Sequence, residues 1–135
     1  MIFMDTNVFV FANIKDYPEH EACLKKLQEK MLTEELAINI FVLSESFHIL
    51  SKHLDKTDAE YRVESLLSSR RIRYVDVSLS TFKEAMSISK EKDIRINDAV
   101  VYASMKENGI TQILTTNEKD FRKIRGVIVE NPLRA

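Results

Sequence analysis

Short apolar runs alternate along the chain with longer stretches in which apolar residues recur at about every third or fourth position. The apolar runs predict buried strands at residues 2–4, 36–40, 72–77, 110–115 and 127–130. The stretches between them predict helices at residues 8–13, 18–31, 41–54, 58–69, 78–90 and 97–108, with a helical turn near residues 119–121. This order predicts an α/β fold, a three-layer α/β/α sandwich with a mostly parallel central sheet of about five strands.

Composition narrows the class of protein. A chain of 135 residues with 44% hydrophobic residues fits one domain over residues 1–135. It has two glycines and two prolines, so neither long flexible linkers nor a Gly-rich phosphate loop is expected. The apolar start lacks a basic segment and is interrupted by Asp5 and Asn7, which predicts no signal peptide, no membrane span and a cytoplasmic protein. The lone Cys23 is interpreted as a packing residue.

The formal net charge of -1 excludes a protein that holds nucleic acid by bulk positive charge. Any contact with nucleic acid must therefore be local. The basic clusters at residues 25–30 and 70–73 are interpreted as solvated helix ends and faces. The candidate RNA contacts are Arg122, Lys123 and Arg125.

Acidic residues stand where predicted strands end and helices begin, which is where parallel α/β sheets bind ligands. Asp5 closes the first strand, and Thr115 closes the fourth, which can be its neighbour in a doubly wound sheet. A helical wheel places Glu45 on the inward face of its helix, and Asp98 lies on the apolar face of another. Each acid also has a structural alternative: Asp5 can be an N-cap, Glu45 can form a salt bridge, and Asp98 can interact favourably with the helix dipole. Asn97 offers an equally good cap for the same helix, which leaves Asp98 free for another role.

We expect Asp5, Glu45 and Asp98 to converge on one rim of the sheet. Carboxylates in a shared pocket repel one another unless a divalent cation neutralises them. The three histidines show no ligand spacing, and an all-oxygen donor set suits Mg²⁺ or Mn²⁺. Such an ion can stabilise charge on a transferring phosphoryl group.

Four ordered stretches resemble the motifs of PIN domains. They are FMDTNVF at residues 3–9, LSE at residues 43–45, NDAVVYAS at residues 97–104 and ILTTNEKDF at residues 113–121. The ENPL segment at residues 130–133 is similar to the tail of the VapC-type toxin branch. The resemblance implies a Mg²⁺- or Mn²⁺-dependent endoribonuclease that cleaves RNA, usually as the toxin of a toxin–antitoxin pair. It also implies a homodimer and an antitoxin protein that silences the acidic pocket.

The resemblance implies Asp5, Glu45 and Asp98 as catalytic metal ligands. At the fourth motif Asn117 stands where many members have Asp, so Asp120 is the nearest acid for the fourth catalytic position and one metal is expected at rest. The residues expected to support the site are Thr6, Asn7, Thr115 and Asn117.

Other classes remain open. A phosphoacceptor signalling domain also uses strand-end acids and Mg²⁺, but it requires an acidic pair after the first strand, where this chain has Asp-Thr-Asn. Its nearest phosphorylatable candidate, Asp76, falls inside the predicted third strand. A PIN fold that binds without catalysis and an RNA-processing nuclease outside toxin–antitoxin systems are the remaining alternatives.

Overall fold

The computed structural model describes residues 1–134, which form a parallel sheet covered by helices. The strands are β1 (Ile2–Met4), β2 (Leu36–Ile38), β3 (Ile72–Tyr74), β4 (Gln112–Leu114) and β5 (Ile128–Glu130). The helices are α1 (Thr6–Asn13), α2 (His20–Thr33), α3 (Ile40–His53), α4 (Lys56–Leu67), α5 (Leu79–Lys92), α6 (Ile96–Glu107) and α7 (Glu118–Phe121). The predicted fold class is confirmed.

The sheet has the order β3-β2-β1-β4-β5, and every neighbouring pair is parallel. In the central strand β1, Phe3 pairs with Ala37 on one side and with Ile113 on the other. All three residues of β1 are fully buried, as expected of a strand covered on both faces. The first and fourth strands are therefore neighbours as predicted, and their carboxyl ends lie side by side.

Capping side chains set where several helices begin. Ser78 and Thr81 form a capping box at the start of α5. Asp55 accepts from the backbone N–H of Asp58, so α4 begins earlier than predicted. The predicted cap at Asn97 is wrong, because α6 already begins at Ile96.

Cys23 is fully buried, as predicted for a packing residue, and burial raises the pKa of its thiol to about 11. Over residues 1–134, no helix has both the length and the apolar content that a bilayer crossing requires.

Candidate active site

A cavity of about 760 Å³ opens beside the carboxyl ends of β1 and β4. It is lined by Asp5, which follows β1, by Glu45 on α3 and by Asp98 in the first turn of α6. The fold thus brings to one place three acids that are far apart in the sequence. Asn39 helps to hold the walls together, because it caps α3 and donates a hydrogen bond to the Ser104 hydroxyl of α6 at 3.1 Å.

Asp5 is both a helix cap and a wall of the cavity. Its Oδ1 accepts from the backbone N–H of Thr6 and its Oδ2 from the Thr115 hydroxyl, each at 2.8 Å. Burial raises the pKa of Asp5 and the negative charge of Glu45 raises it further, while the hydrogen bonds from Thr115 and Thr6 oppose that rise. Asp5 therefore caps α1 and also lines the cavity.

Polar side chains at the end of β4 hold Asp5 in place. The Thr115 hydroxyl that donates to Asp5 also accepts from the backbone N–H of Asn117 at 3.0 Å. Asn7 accepts from the backbone N–H of Thr116 at 3.0 Å, and its amide nitrogen lies 3.4 Å from Asp5 Oδ2. The residues expected to support the site thus join the start of α1 to the end of β4.

Arg95 lies between two buried carboxylates. Its Nη2 is 3.2 Å from Asp98 Oδ2, and its Nε is 3.3 Å from Asp120 Oδ2, which also accepts from the Arg95 backbone N–H at 3.1 Å. Sequence reasoning missed this residue. The available signal was an arginine three positions before Asp98, at the start of the same helix.

The two carboxylates contacted by Arg95 titrate together. Burial, the hydrogen bond with Asp120 and the charge of Asp5 raise the pKa of Asp98 to about 7. The pKa of Asp120 is lowered, first by its hydrogen bond with Asp98 and then, after some opposition from burial, by the N–H groups of Arg95. Protonation is therefore a property of the pair formed by Asp98 and Asp120 and not of either carboxyl group alone.

Asp120 itself lines a second cavity, of about 510 Å³, together with Arg95, Asn117, Lys119 and Lys123. It meets the acidic cavity only through its contacts with Arg95 and Asp98. The predicted RNA contacts are divided around this region: Lys123 lines the second cavity, Arg122 pairs with Glu118 at 3.2 Å, and Arg125 is exposed.

The prediction that Glu45 is buried is wrong. The buried positions of α3 are Val42, Ser46 and Leu50. Glu45 is exposed, and the face that it shares with Phe41 and Ile49 borders the cavity. The wheel identified its neighbours correctly, but periodicity alone cannot separate a helix face that meets a cavity from one that meets a core.

As now arranged, no three carboxylate, imidazole or thiol side chains in residues 1–134 are close enough to hold one metal ion. The donor set nevertheless fits a hard divalent cation, because Asp5, Glu45 and Asp98 share a cavity that is lined by no His or Cys among these residues. Neighbouring carboxylates add to the raised pKa of both Asp5 and Asp98. Arg95 is the one positively charged side chain among the described residues that line this cavity.

Fold and cavity together define a parallel α/β protein with an acidic cavity at the carboxyl edge of its sheet, where such sheets bind ligands. The sequence matches the PIN domain family over residues 2–127. The chain therefore belongs to the PIN domain family, which confirms the resemblance of its four motifs.

Individual proteins of known structure or curated sequence are similar over nearly the whole chain. Ribonuclease VapC6 of Methanocaldococcus jannaschii is 26% identical over 91% of this chain and 92% of that protein. VapC20 of Mycobacterium tuberculosis, a sarcin-ricin loop cleaving toxin, has a similar fold, with a TM-score of 0.78 and 17% identity over 90% of this chain and 94% of that one. A toxin–antitoxin complex from Klebsiella pneumoniae contains a chain with a TM-score of 0.72 and 17% identity, covering 100% of both chains.

Proposed function

We propose that this protein is an endoribonuclease that depends on Mg²⁺ or Mn²⁺ and acts as the toxin of a toxin–antitoxin pair in the cytoplasm. The principal support is the convergence of Asp5, Glu45 and Asp98 on one cavity of a PIN domain. The similarity to a VapC ribonuclease and to VapC toxins supports the choice of RNA as the substrate.

In this proposal Asp5, Glu45 and Asp98 hold the cation. When bound, a divalent ion stabilises the negative charge that develops on a phosphoryl group during transfer. The backbone N–H of Thr6 and the hydroxyl of Thr115 keep the Asp5 carboxylate oriented through their hydrogen bonds.

The protein's own residues also supply proton transfer and phosphate contact. Glu45 has no ion-pair partner among the described residues, so its exposed carboxylate can accept the proton of a water that attacks the phosphodiester in line. The new bond joins the water oxygen to phosphorus, and the bond to the leaving ribose oxygen breaks as that oxygen takes up a proton. The Arg95 side chain is 70% exposed at the border of the two cavities, where it can contact a phosphate oxygen.

The test is cleavage of a generic single-stranded RNA in Mn²⁺ and in EDTA. Asp5→Asn, Glu45→Gln and Asp98→Asn should each reduce the rate by about two orders of magnitude or more. Asp76→Asn is the matched control, because Asp76 is an exposed acid outside the cavity. Unchanged cleavage in Asp5→Asn or Asp98→Asn contradicts the proposal, as does full activity in EDTA.

The toxin role adds a protein partner to the proposal. The gene immediately upstream should encode a small protein with a DNA-binding start, and co-expression of that protein should silence cleavage. An RNA-processing nuclease outside toxin–antitoxin systems would cleave RNA without such a partner. We also propose that the chain forms a homodimer, as the family resemblance implies, and light scattering of the purified chain measures this.

A further inference from the structure

The acidic cavity also has an apolar wall that the proposed chemistry does not use. Three aromatic side chains line it, on α1, on the loop after α1 and at the start of α3; they are Phe11, Tyr17 and Phe41, here called the aromatic wall. Phe41 is 38% exposed. An exposed aromatic surface next to acidic side chains in a cavity is a ligand-binding feature more than a packing feature.

The aromatic wall is aligned with the acids along two helices. On α3, Phe41 lies four residues before Glu45, so the two side chains are neighbours on one helix face. On α1, Phe11 lies four residues after Asn7, whose amide nitrogen is 3.4 Å from Asp5 Oδ2. A ligand that places an anionic group at the acids and their cation therefore meets an aromatic surface about one helical turn away, on the order of 5 Å.

Contacts with Phe11 and His53 hold Tyr17 in a fixed orientation. Its ring packs edge-to-face on Phe11, with 5.0 Å between the centroids and an interplanar angle of 72°. Its hydroxyl is 2.9 Å from Nε2 of His53. His20 Nδ1 is 2.8 Å from the carbonyl oxygen of Phe11, which restrains the backbone of that residue. Ordering a ligand on this wall therefore requires little reordering of the protein.

We propose that the aromatic wall binds a nucleobase of single-stranded RNA next to the phosphodiester held at the acids. This inference rests on the proposed function. A nucleobase is uncharged, so it can lie beside Asp5, Glu45 and Asp98 without electrostatic repulsion, and its flat faces match aromatic rings. In a duplex the bases are already stacked, which restricts the site to unpaired nucleotides.

The first arm of the test measures base stacking without cleavage. A short single-stranded RNA that contains 2-aminopurine is titrated with the full chain in Ca²⁺, which supplies the cation that the phosphodiester needs beside the acids, and its fluorescence should be quenched on binding. Tyr17→Leu and Phe41→Leu should weaken this binding by about tenfold, whereas Tyr17→Phe should retain it because only the contact with His53 is lost. Tyr61→Leu is the control, because Tyr61 is 72% exposed and outside the cavity lining.

The second arm measures cleavage in Mn²⁺ of two RNAs, one with an abasic ribose on the 5′ side of the cleaved bond and the other with an abasic ribose on the 3′ side. In the wild type one abasic position should reduce kcat/KM by about tenfold, mainly through KM, and Tyr17→Leu should be insensitive to it. Equal penalties in the two proteins would overturn the proposal, and so would Tyr17→Leu and Phe41→Leu variants that fold normally and bind like the wild type. If these variants lose only the binding of a protein antitoxin, the wall is a protein surface and the proposal is wrong.

The two arms separate this inference from the proposed function. Quenching that depends on Tyr17, without cleavage in any divalent metal, would support the base site and contradict the nuclease. Cleavage that is indifferent to the abasic positions and to Tyr17→Leu would support the nuclease and overturn the base site.

Discussion

Replacement of Asp98 by Asn should stabilise the metal-free protein while it removes activity. The pKa of Asp98 is raised from 3.8 to about 7, so the native state retains a proton that the unfolded chain releases between those values. Stability therefore falls as the pH rises from 3.8 to about 7, and the full cost is present above that range. A difference of about three pH units corresponds to about 4 kcal/mol as an upper limit.

An Asn at this position mimics the protonated acid, because its amide can donate to Asp120 and its oxygen can accept from Arg95. In mildly alkaline EDTA we expect a gain of at least about 1 kcal/mol, which raises Tm by roughly 3 °C or more for a chain of this size. Thermal unfolding followed by circular dichroism measures it. A Tm at or below that of the wild type would refute the reasoning, as would a gain that fails to shrink at mildly acidic pH.

Further predictions concern the surroundings of the acids. Thr115→Val removes the hydroxyl that donates to Asp5, so it should cost about 2 kcal/mol in urea unfolding and should also lower kcat; an unchanged unfolding midpoint would contradict it. We expect Lys119 and Lys123 to contact RNA phosphates, so replacing each by Gln should reduce the slope of the logarithm of the RNA binding constant against the logarithm of the salt concentration by roughly 0.7. An unchanged slope would contradict these phosphate contacts. Hydrogen bonds from two arginines lower the pKa of Glu118 from 4.5 to about 2, so the stability it provides is present above 4.5 and is lost as the pH falls towards 2. The difference between wild type and Glu118→Gln in urea midpoint should vanish over that interval, and a constant difference would rule this out.

The central strands and the acids at their ends were predictable because local sequence determines them. The run before Asp5 is apolar at every position, as a strand buried on both faces requires, and Asp5 itself follows the strand and caps α1. Asp98 falls on an apolar helix face and is buried, as the wheel indicates. The pairing of β1 with β4 then brings Thr115 to Asp5 without further information.

The remaining features of the site depend on how the helices pack. Glu45 is exposed because α3 buries the face formed by Val42, Ser46 and Leu50. That face is displaced by one residue from the face that carries Glu45, and the hydrophobic pattern does not determine which of the two is buried. Arg95 reaches Asp120 across 25 positions of sequence, so no local signal connects them. The aromatic wall forms only where Tyr17, in the loop after α1, lies near α3.

Equilibrium binding of Mn²⁺, followed by the loss of the free-ion EPR signal, examines the acidic cavity without any RNA. The wild type and the exposed-acid control Asp76→Asn should each bind about one ion per chain, because Asp5, Glu45 and Asp98 supply one set of oxygen donors. Asp98→Asn should bind none in the same concentration range. If the wild type fails to bind Mn²⁺, or if Asp98→Asn binds it as tightly as the wild type, the cavity is not a metal centre and the proposed nuclease mechanism is contradicted.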